Sequence, residues 1–538
     1  MKACIRGGVI HSPLPDFDVG DCHTLQMLQE CLMKWSTKII AIDSQQSVSA
    51  RELLTKIQRY AVGFQEHGVK PGSRVCTHIR NTIENMAAAL AVVFAGGTLV
   101  MAKTAYVPSE YRQLRQLCSS TKMVANIPYT RAGHTDRDFL FIQGLFSVGN
   151  APGFIDVLEF EERSEIHLKP YVPADNTEEV VVMLYTSGTT GLPKAVEISH
   201  KAYVSSYRVF QASGLFTEDD IVLAWNPFTH ISGFVVGVFS MCQGARIIVT
   251  EPSISSKDFL ETLAKYHVSV LLGIPERLRE IINEARSNNY SAVGFEKIIV
   301  GGTPLSKSLG PEICKFFGVK SFVHIYGMTE TTCIVSCTPV GPISMDNVGF
   351  PSAGSKVKIL DLNGGGSLGP HQNGEIVVQS RNLMKSYYKH PEDTREVLSN
   401  DGWFRTGDIG YYDENGRIYI VERLKQMIKC MGNVVTPAEL EDILTSHEAV
   451  LEAVVVGIPS PKYGEAPTAC VVVSESKKEV LESLEQELKE LIAGQTSFHK
   501  HLYGGVVFME TLPKSDAGKI LRQKLKSSIA AGLVPYDG

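Results

Sequence analysis

Short hydrophobic runs alternate with helix-length amphipathic segments through the middle of the chain. The runs include VVVMLY, IVLAW, VSVLLGI and KIIVGG, and the segments include SKDFLETLAKYH and PERLREIINEARSN. Short apolar runs are typical of buried strands, and strands that alternate with helices predict α/β layers with mostly parallel sheets. After about residue 355 the pattern changes to turn-rich hairpins, as in DLNGGGSLGPHQNGE and YYDENGRIYIVER, which predicts a β-rich subdomain.

The C-terminal part of the chain returns to a compact α+β pattern. It contains the strand-like runs AVLEAVVVGIP and APTACVVV and the helical segment KKEVLESLEQELKELIAG. A chain of 538 residues exceeds what a single core accommodates. We therefore predict a large N-terminal domain of layered, mostly parallel α/β subdomains plus the β-rich subdomain in residues 1–422, and a small α+β domain in residues 423–538.

One uncharged segment, MAAALAVVFAGGTLVMA at 86–102, could be mistaken for a membrane helix. It is interrupted by Gly96 and Gly97 and is shorter than the roughly 20 residues that a span needs. It therefore favours a buried helix followed by a buried strand. The N-terminus has no sustained apolar run and the C-terminus lacks a Ser-Lys-Leu tail, so we expect a cytoplasmic protein without a signal peptide.

Charge and cysteine content restrict the partners. Lys and Arg number 52 against 58 Asp and Glu, and the net charge of −6 argues against nucleic acid or an anionic membrane as a partner. The 11 cysteines form no CxxC pair, which favours reduced thiols in a cytosol-like compartment.

The stretch YTSGTTGLPKAV at 185–196 carries the clearest chemistry. Glycines permit close backbone approach, hydroxyl and amide groups donate to anionic oxygens, and a lysine adds a positive charge, so the run suits a chain of phosphates. It is not a Walker A loop, because Leu192 and Pro193 separate the second glycine from Lys194. The alternative is an ordinary solvated loop between the strand EVVVMLY and a helix that starts after Ser199, a plausible N-cap.

This stretch resembles the phosphate-binding motif of the adenylate-forming superfamily, which includes acyl-CoA synthetases, 4-coumarate:CoA ligases, luciferases and peptide-synthetase adenylation domains. Further motifs follow in the order typical of that family. They are PFTHISG, GGTPLS, YGMTETT, GEIVV with MKSYYKHPEDT, DGWFRTGDIGYYDENGRIYIVERLKQMIK, TPAELEDIL and LPKSDAGKILR. Together they span nearly the whole chain, so the sequence is identified as a member of this superfamily.

The resemblance implies that the chain binds ATP, with Mg²⁺ held by Glu330. A lone carboxylate suits Mg²⁺, which takes other ligands from water and phosphate, although a solvated acid is the alternative reading of Glu330. The resemblance also implies that Tyr326 stacks on adenine and that Thr329 reaches the α-phosphate. The residues implied for the β- and γ-phosphates are Thr186, Ser187, Gly188, Thr189, Thr190 and Lys194, and those implied for the rest of the nucleotide site are Gly301, Gly302, Thr303 and Gly327.

The same resemblance assigns the ribose hydroxyls to Asp408 and Arg423; the alternative is a turn aspartate and a surface arginine. Lys519 matches the lysine that bridges the substrate carboxylate and the α-phosphate during adenylation. Since Lys519 lies in the small terminal domain, that domain is expected to be mobile and to close onto the large one.

His230 matches the position at the mouth of the acyl pocket, where it would orient the substrate carboxylate; a histidine packed in the core is the alternative. Gly233 and Phe234, in an apolar segment with small residues, would line one side of that pocket. Gly302 would line another.

The second half-reaction in this family usually passes the acyl group to the thiol of coenzyme A, after the small domain swings about a hinge in VERLKQ. Lys429 and Gly432 match positions along the thiol route. The resemblance also implies that Lys429 is a catalytic residue. Two neighbours depart from the plant-ligase pattern: Met431 stands where a lysine is frequent, and Val434 where those ligases carry glutamine. The departures weaken any transfer of substrate from those ligases.

The leading hypothesis is therefore an ATP- and Mg²⁺-dependent acid:CoA ligase that activates a hydrophobic carboxylic acid as acyl-AMP with release of pyrophosphate. The alternative is a luciferase-like monooxygenase that oxidises the acyl-adenylate with O₂. A binding protein that has lost catalysis is disfavoured by the intact Lys194, Glu330, Asp408 and Lys519.

Overall fold

The computed structural model describes residues 1–103, 120, 122–126, 144–186, 194–291, 293–341, 343–362, 364–474, 481–515 and 518–532. Strands and helices are numbered along these residues. They form four sheets, three in the large domain and one in the small domain.

The first sheet has eight strands in the order β21-β11-β10-β6-β5-β7-β8-β9, and the six from β10 to β9 are parallel. Its strands are β5 (Arg74–His78), β6 (Thr98–Met101), β7 (Lys122–Asn126), β8 (Gly144–Val148), β9 (Ile155–Asp156), β10 (Val180–Thr186), β11 (Lys194–Ser199) and β21 (Ser386–Tyr387). Strand β11 is antiparallel to β10, with Thr186 opposite Lys194. The phosphate-motif stretch therefore connects two strands of a hairpin, and the expectation that it leads directly into a helix is wrong.

The second sheet has nine strands in the order β18-β17-β16-β15-β14-β12-β13-β3-β4, again with six parallel strands, from β16 to β3. Its strands are β3 (Ile39–Ile42), β4 (Ser47–Ser49), β12 (Ile221–Ala224), β13 (Arg246–Val249), β14 (Val270–Gly273), β15 (Lys297–Val300), β16 (Ser321–Tyr326), β17 (Ser336–Cys337) and β18 (Phe350–Pro351). The two sheets confirm the predicted mostly parallel α/β layers.

Helices cover these sheets and fill the space between them. Those of the large domain are α1 (Thr24–Lys34), α2 (Ala50–Glu66), α3 (Ile83–Phe94), α4 (His200–Ser213), α5 (Ile231–Cys242), α6 (Ser256–Tyr266), α7 (Pro275–Ser287), α8 (Leu309–Phe317) and α9 (Pro391–Val397). Helices α3 and α5 are buried almost throughout and share one apolar core. The uncharged segment 86–102 is thus a buried helix followed by the buried strand β6, as predicted. Ser199 caps α4, also as predicted, since its hydroxyl accepts from the Ala202 N–H at 3.2 Å.

The third sheet is antiparallel, in the order β1-β2-β19-β20-β22-β23, and confirms the predicted β-rich subdomain. Its strands are β1 (Cys4–Arg6), β2 (Val9–His11), β19 (Lys356–Leu360), β20 (Gly374–Gln379), β22 (Phe404–Tyr412) and β23 (Ile418–Arg423). Both predicted hairpins are present, as β19–β20 and β22–β23. The N-terminal hairpin β1–β2 completes the sheet, although nothing in the sequence pattern indicated this.

The small domain contains the fourth sheet, with strands β24 (Ile428–Cys430), β25 (Asn433–Val435), β26 (Val450–Ser460), β27 (Gly464–Val473) and β28 (Val506–Phe508). Its helices are α10 (Pro437–Thr445), α11 (Leu481–Gln495) and α12 (Arg522–Ala530). It has apolar clusters of its own on both faces of the sheet, which accords with the predicted α+β unit. The boundary at residues 422 and 423 stays a prediction.

Among the described residues, no helix has the length and apolar character required to cross a bilayer. The described cysteines are all free thiols.

Candidate functional site

The candidate site begins where parallel strands of the second sheet end. Gly301 follows β15, and Tyr326 ends β16 and leads into Gly327. A Cβ on Gly301 would lie 2.7 Å from the Ile325 carbonyl oxygen, and one on Gly327 would lie 1.5 Å from the Cys333 carbonyl oxygen. Glycine is therefore needed at both positions for these turns to pack side by side, and the exposed Gly302 continues the first turn with φ +91°.

Tyr326, Asp408 and Arg423 form a hydrogen-bonded group at this edge. The Tyr326 hydroxyl donates to Asp408 Oδ2 at 2.6 Å, and Arg423 Nε donates to Asp408 Oδ1 at 3.1 Å. Asp408 is buried, and its charge raises the pKa of Arg423. The antiparallel pairing of β22 and β23 places Asp408 directly opposite Arg423. Each carboxylate oxygen keeps a free lone pair, so this group can accept two hydroxyl donors from a diol.

Lys519 enters this group from the small domain. It lies in a tight hairpin in which the Ser515 N–H donates to the Lys519 carbonyl at 2.8 Å. Burial lowers the pKa of the Lys519 ammonium to about 8, helped by Arg423 and opposed by Asp408 and Glu276. The predicted Lys519, Asp408, Arg423 and Tyr326 are therefore brought together, although Lys519 is far from the others in the sequence.

Thr303 and Glu276 extend the group on the side of α7. The Thr303 hydroxyl donates to Glu276 Oε2 at 2.5 Å, and burial raises the pKa of Glu276. Glu276 was not expected from the sequence. It lies in the first turn of α7, where Pro275 is the first helical residue. Only its place just beyond the carboxyl end of β14 could have indicated it.

His230 is the N-cap of α5, and this role fixes its tautomer. Its Nδ1 accepts from the Ser232 N–H at 3.3 Å and lies 2.8 Å from the Ser232 hydroxyl, which can donate to it, and this assigns the proton of the neutral ring to Nε2. Burial, with the charges of Lys103 and Lys519, lowers the pKa of His230 to about 3. The ring is therefore a neutral donor at physiological pH.

Lys103 is a second unexpected member of the site. It lies two residues beyond Met101, the last residue of β6, which pairs with Leu184 of β10. It also acts electrostatically on both His230 and Lys519. Three cationic side chains, those of Lys103, Lys519 and Arg423, thus converge on one place, which favours an anionic ligand there.

The predicted acyl-pocket residues of α5 are buried in the core. Phe234 is 3% exposed and its ring lies 6.0 Å from that of Tyr203. A Cβ on Gly233 would lie 2.1 Å from the Pro227 carbonyl oxygen, so glycine is required by packing there. Whether either residue touches a substrate stays a prediction.

The ends of the phosphate-motif hairpin are described, whereas Ser187, Gly188, Thr189 and Thr190 lie outside the described residues. Lys194 Nζ pairs with Asp393 at 3.0 Å and lies 5.2 Å above the Tyr387 ring. The Tyr387 hydroxyl donates to Glu330 Oε1 at 2.9 Å. Lys194 and Glu330, both predicted, are therefore joined through Tyr387. Thr329 lies beside Glu330 in a short 3₁₀ turn.

Tyr387 and Asp393 were not assigned a role from the sequence, although both lie in the quoted motif MKSYYKHPEDT. Strand β21, which ends at Tyr387, pairs with β11, and this pairing carries the motif to Lys194. The Asp393 carboxylate also pairs with His390 at 3.0 Å. Its contact with Lys194 lowers the pKa of Asp393.

Lys429 and Gly432 lie outside this assembly. Lys429 is in β24 and Gly432, with φ +73°, is in the turn before β25, and both are exposed on the small domain. The preceding Met431 also has a positive φ of 53°. The orientation that brings Lys519 into the site thus leaves these two residues at the surface.

Comparisons with known proteins agree with this geometry. Family models described as AMP-binding enzyme and AMP-binding enzyme C-terminal domain match residues 28–388 and 439–519. Luciferin 4-monooxygenase of Nipponoluciola cruciata is 36% identical over 67% of this chain and 66% of its own length. The 4-coumarate–CoA ligase of Pinus taeda is 30% identical over 97% of each chain.

Among solved structures, ATP-bound MatB from Rhodopseudomonas palustris has the same fold, with a TM-score of 0.83. It is 24% identical, over 94% of this chain and 99% of that chain. The superfamily predicted from the ordered motifs is confirmed: the chain belongs to the adenylate-forming, AMP-binding enzyme family.

Proposed function

We propose that this enzyme is an ATP-dependent acid:CoA ligase that acts on a hydrophobic carboxylic acid. The observation that carries the proposal is that Lys519 of the small domain lies buried within electrostatic reach of Asp408 and Arg423 of the large domain. This is the arrangement that acyl-adenylate formation requires, because a cation must meet the substrate carboxylate and the α-phosphate together. The 4-coumarate–CoA ligases among the relatives support the ligase class.

In the first half-reaction a carboxylate oxygen of the acid attacks the α-phosphorus of ATP, and pyrophosphate leaves. Lys519 and the Nε2–H of His230 would hold the attacking carboxylate, with Lys103 adding positive charge. Asp408 and Arg423 would bind the ribose hydroxyls, and Thr186 and Lys194 would hold the departing phosphates. Each group stabilises negative charge that gathers around phosphorus in the transition state.

A magnesium ion would be held by Glu330 together with phosphate oxygens. One Glu330 oxygen accepts from Tyr387, and the side chain makes no other hydrogen bond to the described residues, which fits an ion that takes few ligands from protein. When bound, Mg²⁺ neutralises phosphate charge.

In the second half-reaction the thiol of coenzyme A attacks the acyl carbonyl of the adenylate, loses its proton and displaces AMP. Lys429 and Gly432, exposed in the present orientation, would reach the site after the small domain rotates. Gly432 lacks a side chain and would let the thiol arm pass close to the backbone.

A luciferase-like monooxygenase is the second candidate, favoured by the 36% identity to luciferin 4-monooxygenase. It would share the adenylation step and differ in what consumes the adenylate. Light emission or CO₂ release with luciferin, ATP and O₂ would support it.

The decisive experiment is a panel of carboxylic acids assayed with and without coenzyme A, in which pyrophosphate, AMP and thioester are measured separately. We expect at least one aromatic or aliphatic acid to give pyrophosphate and, only with coenzyme A, stoichiometric AMP and thioester. A broad panel without any coenzyme A-dependent release of AMP would contradict the proposal.

A further inference from the structure

Lys514 sits at the base of the hairpin that carries Lys519. Lys514 pairs with Ile520 in an antiparallel bridge, and the Gly518 N–H donates to the Ser515 carbonyl at 2.8 Å. A displacement of Lys514 would therefore move Lys519 with it, because only a short, hydrogen-bonded turn separates them. The hairpin lies against α7, where a Cβ on Gly518 would be 3.6 Å from Arg277 Cβ.

The Lys514 side chain joins the two domains. Its ammonium pairs with Glu280 of α7 in the large domain and, at 2.7 Å, with Glu452 of β26 in the small domain. The side chain is only 15% exposed, whereas that of Glu280 is 48% exposed. The two carboxylates together raise the pKa of Lys514 despite its burial, so the lysine stays charged. Of the two contacts, only the one with Glu280 depends on the orientation of the small domain.

Charged and polar side chains of both domains also line a cleft next to this pair. The cleft has a volume of about 570 Å³ and separates α7 and α8 from residues 445–451 of the small domain. Nearby, the backbone amide of Lys307 in the large domain faces the Asp442 carboxylate of the small domain. The Lys514–Glu280 pair is lost when the domains separate, so it favours the present orientation.

We propose that Lys514 is a positioning residue for adenylation: its ion pair with Glu280 holds the Lys519 hairpin in the site, and the pair must open before the thioester step. This rests on the proposed two-step function. A contact present in only one orientation shifts the equilibrium toward that orientation, so it speeds adenylation without serving thioester formation.

The test uses Glu280→Gln, which removes the charge that pairs with Lys514 across the domains. Because Glu280 is half-exposed, the substitution should leave the hairpin and the packing of α7 intact. We expect pyrophosphate exchange to slow about fivefold, near the upper end for a partly exposed ion pair. Thioester formation from synthetic acyl-adenylate and coenzyme A should keep its rate or increase. Lys514→Gln should behave as Glu280→Gln does, and Lys514→Arg should restore exchange because the charge is kept.

Lys500→Gln is the matched control. The Lys500 side chain is 23% exposed and pairs with Glu439 at 2.7 Å, but both residues belong to the small domain. It should leave both half-reactions unchanged. Equal losses in the two half-reactions for Glu280→Gln would mean general destabilisation and would overturn the proposal. The same loss in Lys500→Gln would have the same meaning. Normal pyrophosphate exchange in Glu280→Gln would also overturn the proposal.

A second measurement needs no carboxylic acid. Hydrogen exchange at the Lys307 amide, which faces the Asp442 carboxylate of the small domain, reports how often the domains separate in the presence of ATP and Mg²⁺. We expect it to exchange several-fold faster in Glu280→Gln than in wild type or Lys500→Gln; equal rates would overturn the proposal. If 4-coumarate, benzoate and dodecanoate all fail to support pyrophosphate exchange in wild type, the proposed function is contradicted for those acids. The hydrogen-exchange measurement still decides the role of Lys514 in that case.

Discussion

At the scale of single residues, the environment of Lys519 gives the site a pH dependence. Its pKa is lowered to about 8, so the charged form is present below that pH and is lost as the pH rises through it. We expect kcat/KM for ATP in pyrophosphate exchange to fall above about pH 8. In Lys519→Arg the rate should be lower and this fall absent, since arginine stays charged. If kcat/KM still falls at alkaline pH in Lys519→Arg, another group causes the fall.

Replacement of Lys519 by alanine tests the role itself. We expect adenylation to fall at least about 100-fold, the loss typical when a group that stabilises transition-state charge is removed. Binding of ATP, measured by calorimetry, should stay within a few-fold of wild type because the ribose and phosphate contacts remain. Normal pyrophosphate exchange in Lys519→Ala would refute the assignment.

His230 combines a structural and a proposed catalytic role, and two substitutions separate them. His230→Ala removes the cap of α5 and should lower the free energy of unfolding by about 1 kcal/mol. His230→Asn can still accept from the Ser232 N–H, so its stability should be near that of wild type. Both variants lack the Nε2–H donor, and we expect both to raise the KM for the acid about tenfold. Thermal unfolding measures the effect on stability, and pyrophosphate exchange at varied concentrations of the carboxylic acid measures the effect on KM. Wild-type kinetics in His230→Asn would leave His230 with only its structural role.

At the scale of elements, the proposed function requires Lys194 to leave Asp393 before the hairpin β10–β11 binds phosphate. The ion pair is 3.0 Å long and both side chains are about one-quarter to one-third exposed. We expect Asp393→Asn to lower the Kd for ATP about two- to fivefold, as suits a partly screened pair. Glu392→Gln, at the exposed neighbouring position, should leave the Kd unchanged. Calorimetric titration measures both, and a weaker affinity in Asp393→Asn would show instead that Asp393 positions Lys194 for phosphate.

The same elements show what the sequence can predict. Periodicity identified the parallel strands and the buried α3, and the Ser199 cap followed from local chemistry. Strand β11 escaped notice because KAVEIS is short and runs directly into α4. Tyr387 and Lys103 reach the site through strand pairing over long sequence separations, which a local pattern does not encode. The ordered motifs indicated Lys519, Asp408 and Arg423, whereas Glu276 needed the packing of α7 to be recognised.

At the scale of the whole molecule, the proposed two-step function requires two orientations of the small domain. The connecting segment after β23 is a single 3₁₀ turn, Leu424–Gln426, in which the Met427 N–H donates to the Arg423 carbonyl at 3.2 Å. Glu422 is buried beside it and accepts from the Arg423 N–H at 2.8 Å and the Ala438 N–H at 3.4 Å, which ties the segment to α10. The motif VERLKQ therefore lies where rotation would have to occur.

A proline at position 424 tests whether rotation occurs there. Arg423 has φ −73° and ψ 132°, which suits a residue before proline, and Leu424 begins the turn, where no helical hydrogen bond is lost. Leu424→Pro should therefore fit the present orientation and keep pyrophosphate exchange within about twofold of wild type, because residues of a 3₁₀ turn have a φ near that of proline. Thioester formation should slow at least about tenfold, since rotation needs a different backbone conformation that proline resists. Leu424→Ala, at this 39% exposed position, should keep both half-reactions. Single-turnover rates of the two steps separate the outcomes, and wild-type thioester formation in Leu424→Pro would place the hinge elsewhere in the chain.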